Sequence, residues 1–170
     1  MSSWQIVGEQ TGSQLDKLFS GLCSSAFDKK DPIAEMRREF ENKAPNDDEF
    51  KSKLETSDFK RNSKTLYILD YIEKHHYSSE GGGKTIDRAN VDIEHIAPQR
   101  ALSDKKYSAW KEVLNIEEGE YNNKYRNRLG NLTLLENWLN EEASDNPFQQ
   151  KKDQYHLSDF RMTQEIREKI

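Results

Sequence analysis

Two short stretches of the chain alternate like β-strands, and any fold has to be built around them. Val91-Asp92-Ile93-Glu94-His95 sets apolar side chains at alternate positions and is stopped by Pro98. Asn131-Leu132-Thr133-Leu134-Leu135 follows Gly130, whose missing Cβ lets the backbone turn tightly. Elsewhere apolar residues recur at helical spacing: Leu15, Leu18, Phe19 and Leu22, then Ile33, Met36 and Phe40 after Asp31-Pro32, an N-cap followed by proline at the first helical position. Phe50 and Leu54 continue the pattern, and so do Leu66, Ile68, Leu69 and Ile72, with Ser63 the expected cap of a helix ending near His75. Trp110, Val113 and Leu114 predict a helix between the strands, and 136–142 one after the second strand, with Trp138 and Leu139 packing inward. A final pair is expected over 148–155 and 159–169. The fold class is therefore expected to be α+β and mostly α-helical.

The strands carry chemistry. His95 ends the first beside Glu94, Asn131 opens the second, and Asn140 stands nine residues further on. Cutting a phosphodiester at neutral pH needs a base to activate water and a cation to hold the leaving oxygen. His95 is the candidate base, and Glu94 with Asn140 the candidate holders of the cation. The runs Glu94-His95-Ile96-Ala97-Pro98-Gln99 and Gly130-Asn131-Leu132-Thr133-Leu134-Leu135, with Leu139-Asn140, Ser144, Asn146-Pro147-Phe148 and Lys151 trailing, resemble the C-terminal HNH domain of GmrSD-type restriction endonucleases. That resemblance implies a ββα-metal (His-Me finger) nuclease core. In it His95 is the general base, Asn131 the amide that orients it, and Glu94 and Asn140 the metal ligands. Asn146 is the alternative ligand, and Asp92, on the strand face of Glu94, supports the ligands or replaces one.

Two positions depart from the commoner pattern. The acidic ligand is Glu94 where Asp is usual, which reaches one methylene further, and the last position is Asn140 where His is common, which offers a neutral oxygen. An oxygen-rich, thiolate-free donor set suits Mg²⁺ or Mn²⁺ better than Zn²⁺. One such divalent ion is the expected cofactor.

Charge runs against the obvious partner, DNA: the net charge is −5, with 34% charged against 33% hydrophobic residues. Its distribution answers the objection. Glu39, Glu41, Asp47, Asp48, Glu49, Glu55 and Asp58 concentrate the acid early, whereas Arg100, Lys105, Lys106, Arg126, Arg128 and Lys151 flank the strands and are the expected DNA contacts. The one cysteine, Cys23, excludes an internal disulfide and a cysteine-based zinc knuckle. No apolar run approaches transmembrane length and no secretory pattern opens the chain, so a cytoplasmic location is expected.

Gly81-Gly82-Gly83 marks the expected boundary between a helical region, 1–85, and the nuclease domain, 86–170. With Lys84-Thr85 it has the look of a phosphate-binding loop, but Ser78 stands where the first glycine belongs, and a helix precedes the loop where a strand is needed. The expected function is a metal-dependent DNA endonuclease of a phage-defence restriction system. The resemblance also implies an N-terminal nucleotide-hydrolysing domain or subunit as partner, to which 1–85 would be the bridge. Its Asp-Gly-Gln-Gln-Arg motif does not occur in this sequence. The alternatives are a nuclease acting on RNA and a catalytically silent nucleic-acid or protein interaction domain.

Overall fold

A computed structural model describes residues 12–43, 46–76, 87, 89–103 and 107–169. The chain is mostly helical with one two-stranded sheet, an α+β arrangement. Chain contacts divide it into two compact units, 1–55 and 56–170. The triple glycine and the Lys84-Thr85 that follows lie outside the described residues.

In the first unit, α1 (Gly12–Ala26) packs on α2 (Pro32–Lys43), burying Leu22 and Ala26 and stacking the rings of Phe19 and Phe40 at 6.2 Å. The Asp31 carboxylate accepts the Ala34 amide hydrogen at 3.1 Å, so the cap read from Asp31-Pro32 is present. The helix α3 (Asp47–Thr56) starts with a reciprocal capping box. Asn46 Oδ1 accepts from the Glu49 amide and Glu49 Oε2 accepts from the Asn46 amide.

The second unit holds the sheet. β1 (Val91–His95) runs antiparallel to β2 (Leu132–Glu136), with His95 opposite Leu132 and Ile93 opposite Leu134. Both α4 (Ser63–His76) and α7 (Asn137–Ala143) pack against the two strands. The cap of α4 is Asn62, whose side-chain oxygen accepts from the Lys64 and Thr65 amides. The cap expected at Ser63 thus stands one residue earlier, because either residue type suits the position.

Between the strands lie α5 (Ser108–Leu114), α6 (Glu118–Lys124) and a single 3-10 turn, Leu129–Asn131. After α7 come α8 (Phe148–Leu157) and α9 (Arg161–Lys169). Two of their ends are tied down by acids from elsewhere: the buried Glu73 carboxylate of α4 accepts from the Arg161 and Met162 amides, and Glu136 accepts from Ser158 and Asp159. The core gathers Ala97, Ala101, Leu102, Tyr107, Trp110, Tyr121, Leu135, Leu139, Ala143, Phe148 and Tyr155. Trp138, expected to pack inward, is 59% exposed, while its neighbour Leu139 is fully buried. A seven-residue helix offers the core a narrow face, and Leu139 occupies it.

Candidate active site

β1 delivers Glu94 and His95 at its C-terminal end, and the chain beyond is clamped from β2's side. The Ile96 amide bonds the Asn131 carbonyl at 3.0 Å, and the Asn131 side chain then fixes Ala97 from both sides, accepting from its amide at 2.8 Å and donating to its carbonyl at 3.0 Å. The same amide nitrogen also reaches the Arg126 carbonyl at 2.9 Å. Tyr121, which the sequence does not single out, points its hydroxyl at the Ala97 and Pro98 carbonyls, each at 2.8 Å. Burial pushes that phenol up to about 12, so it stays a donor. Asn131 therefore acts on the backbone behind His95.

The group that meets the imidazole itself is Asn127, whose Oδ1 lies 3.4 Å from Nε2; the Gln99 amide nitrogen is also 3.4 Å from Nε2. One nitrogen cannot donate to the first and accept from the second. Donation to Asn127 leaves Nδ1 as the basic nitrogen. His95 is only 6% exposed, and its pKa falls to about 4, first through burial and then through the charges of Arg61, Lys151 and Arg126, against the Asn127 hydrogen bond. At neutral pH the ring is an unprotonated base.

Glu94 is buried and salt-bridged. Lys151 Nζ sits 2.5 Å from its Oε1, Tyr155 donates to the same oxygen at 3.2 Å, and Lys151 also donates to the His95 carbonyl at 2.9 Å. Burial pushes Glu94 up and Lys151 down, and the attraction of each for the other opposes both shifts. Lys151, expected as a DNA contact, is instead buried at 1% exposure and tied to Glu94. The partner that buries it is 57 residues away in sequence.

Two adjoining hollows open here. One, of about 250 Å³, is lined by Glu94, His95, Gln99, Arg100 and Lys151; the other, of about 420 Å³, by Asp92, Glu94, Asn137, Asn140 and Glu141. Arg61, Ser144 and Asp145 line both. Asn140 donates to Asp92 Oδ2 at 3.2 Å, and Arg61 pairs with the same oxygen at 2.6 Å. Ser144 adopts a φ of 40°, a conformation that disfavours a side chain, in the turn that brings Asp145 to the site. Asn146 lines neither hollow: its side chain turns back to the Glu142 carbonyl, and its own carbonyl accepts from Trp110.

The expected DNA contacts divide. Arg100 lines the hollow beside His95, and Arg126 bonds Asn122 at 3.2 Å. Arg128 is a structural clasp, paired with Asp58 at 2.7 Å and donating to the Asn123 and Lys124 carbonyls. Lys105 and Lys106 lie outside the described residues.

Asp92, Glu94 and Asn140 line one hollow and bring only oxygen donors suited to a cation. Carboxylate and amide oxygens are the donor type that hard divalent ions take. The set does not fit a zinc cage, and among the described residues no group of three or more His, Cys, Asp or Glu side chains is gathered to hold a metal ion of any kind. Lys151 on Glu94 and Arg61 on Asp92 are the charges such an ion would meet.

Comparison with known proteins gives one family. GmrSD restriction endonucleases, C-terminal domain, match over residues 44–170, a span that begins upstream of the motif-bearing half and takes in α4 and Arg61. No curated protein and no solved structure matches the chain.

Proposed function

Because the chain belongs to the C-terminal domain family of GmrSD restriction endonucleases, a nuclease family whose substrate is DNA, we propose that this domain hydrolyses DNA phosphodiesters as a His-Me finger (HNH) enzyme with one divalent ion, Mg²⁺ or Mn²⁺. The observation that carries the reading is a buried, neutral histidine whose neighbour Glu94 lines both hollows, one of them shared with Asp92 and Asn140. β1, β2 and α7 are read as the two strands and helix of the finger.

In this reading His95 takes a proton from water as the water oxygen attacks phosphorus, and the bond to the 3′-oxygen breaks. Asn127 holds the ring through Nε2, while Asn131 and Tyr121 fix the backbone just after it. Lys151 anchors the His95 carbonyl and keeps Glu94 in place. Glu94, Asp92 and Asn140 would hold the ion, which when bound supplies positive charge to the phosphate and the departing oxygen. A single site of this kind cuts one strand, so a double-strand break takes two copies or two nicks.

We also infer the setting: restriction of foreign phage DNA in the cytoplasm, with an N-terminal nucleotide-hydrolysing partner. No described helix is long and apolar enough to cross a membrane. The test is incubation with supercoiled plasmid and, in parallel, RNA, with Mg²⁺ or Mn²⁺ and with chelator. The chain should nick the plasmid only with the ion, and His95→Ala should lose on the order of 10²–10⁴-fold in rate while keeping its helical content. Preferred RNA degradation would redirect the substrate, and absence of any cleavage would make this a binding domain.

A further inference from the structure

We propose that Arg61 is the phosphate-binding cation of this cleft, its guanidinium receiving the two non-bridging oxygens of the scissile phosphodiester from the wall shared by both hollows. The inference rests on the nuclease reading and adds to it a residue outside the strand–strand–helix unit, 34 positions before His95 in the sequence.

Three observations support it. First, Arg61 alone among the basic residues lining the two hollows lines both, so it faces the His95 side and the Asp92–Asn140 side together. Second, its backbone is fixed relative to the base. Phe59 is buried and donates its amide to the Asn127 carbonyl at 2.7 Å, Asp58 is clasped by Arg128, and Asn62 caps α4. Asn127 thus holds the Arg61 segment with its backbone and the His95 ring with its side chain. Third, Arg61 is available. Its ion pair with Asp92 joins two side chains that are 45% and 49% exposed, and a pair so open to water is weak, little to give up for a phosphate.

Among the other cations, Arg100 lines only the hollow beside His95, and two more are held by partners of their own. Lys151 is engaged by Glu94 and the His95 carbonyl, and Arg128 by Asp58 and two carbonyls. A guanidinium presents paired N–H groups in a plane that matches two oxygens on one phosphorus, which a lysine ammonium cannot do. Net charge is −5, so a fixed arginine at the reacting phosphate also accounts for local attraction in an acidic chain.

The test is binding of a short fluorescent duplex in chelator, across a salt series, followed by plasmid cleavage with Mg²⁺. Arg61→Ala should weaken binding on the order of tenfold and lower the magnitude of the salt slope by about one, with melting unchanged. Arg61→Lys should keep the slope, because the charge remains, yet cut slowly at saturating DNA. Asp92→Ala, assayed for binding in chelator only, should bind as tightly as wild type or tighter, because it releases Arg61. Wild-type binding and slope in Arg61→Ala would overturn the proposal alone if the wild-type chain still binds and cuts. Weakening by Asp92→Ala equal to that of Arg61→Ala would also overturn it, since the pair would then matter only for structure. A wild-type chain that neither binds nor cuts DNA would remove the nuclease reading and this inference with it.

Discussion

Replacing Lys151 by methionine keeps most of the side-chain volume and removes the charge, leaving the Glu94 carboxylate buried with Tyr155 as its remaining side-chain donor. Removal of one partner from a buried ion pair costs about 3–5 kcal/mol, because the other charge stays desolvated and unpaired. Both side chains here are nearly inaccessible, so water cannot take the lysine's place cheaply. For a unit of this size the melting temperature should fall by roughly 10–25 °C. The double variant Glu94→Gln with Lys151→Met removes both charges and should recover more than half of the loss, a coupling of about 2 kcal/mol or more. Urea denaturation at pH 7 in chelator measures both variants, together with the single Glu94→Gln that the coupling requires, against wild type.

The pH dependence adds a signed check. In the single variant the folded-state pKa of Glu94 is raised by burial above its unfolded value. The folded state then binds more protons between the two values, and the defect should shrink as pH falls into the ordinary glutamate range. A loss under about 1 kcal/mol, or a double variant no better than the single, would refute the account of Lys151 as the charge that makes a buried Glu94 tolerable.

Legibility follows the range of the interaction. The place of β1 is readable because alternation around Val91 and Ile93 and the stop at Pro98 are local signals, and β2 comes within one residue for the same reason. α6 is not readable: Glu118-Gly119-Glu120-Tyr121-Asn122-Asn123-Lys124 holds one large apolar residue, so no periodicity exists to find. Yet that residue, Tyr121, clamps the strand behind His95. Asn46 and Glu49 do carry a readable capping signal, an amide three residues before an acid. Asn127 and Arg61 leave no such trace, and Lys151 is visible in the motif without its pairing to Glu94, because these roles depend on partners 31 to 57 residues distant, brought together only by the packed fold. Motif spacing reports which residues chemistry requires. It does not report which charges the fold places against them.

Two further outcomes follow from the cleft. In protein without divalent ion, NMR titration of His95 should show a ring that stays neutral down to about pH 4. Because the unfolded ring binds its proton near 6.5 and the folded one near 4, the unfolded state carries more protons across that window, and stability should decline as pH falls through it. An ordinary value near 6.5 would show the ring open to water. The second concerns the ion. Asn140 shares a hollow with Asp92 and Glu94 and touches Asp92, whereas Asn146 folds back onto the end of α7. Asn140→Ala should therefore raise the Mg²⁺ concentration for half-maximal cleavage several-fold, since loss of one oxygen ligand weakens a site that has few. Asn146→Ala removes a hydrogen bond to Glu142 and should leave that concentration unchanged, at a stability cost of about 1 kcal/mol. The reverse result would move the ligand six residues along the chain and place the ion at the turn carrying Ser144, whose positive φ would then mark a ligand-holding bend and not merely the end of a helix.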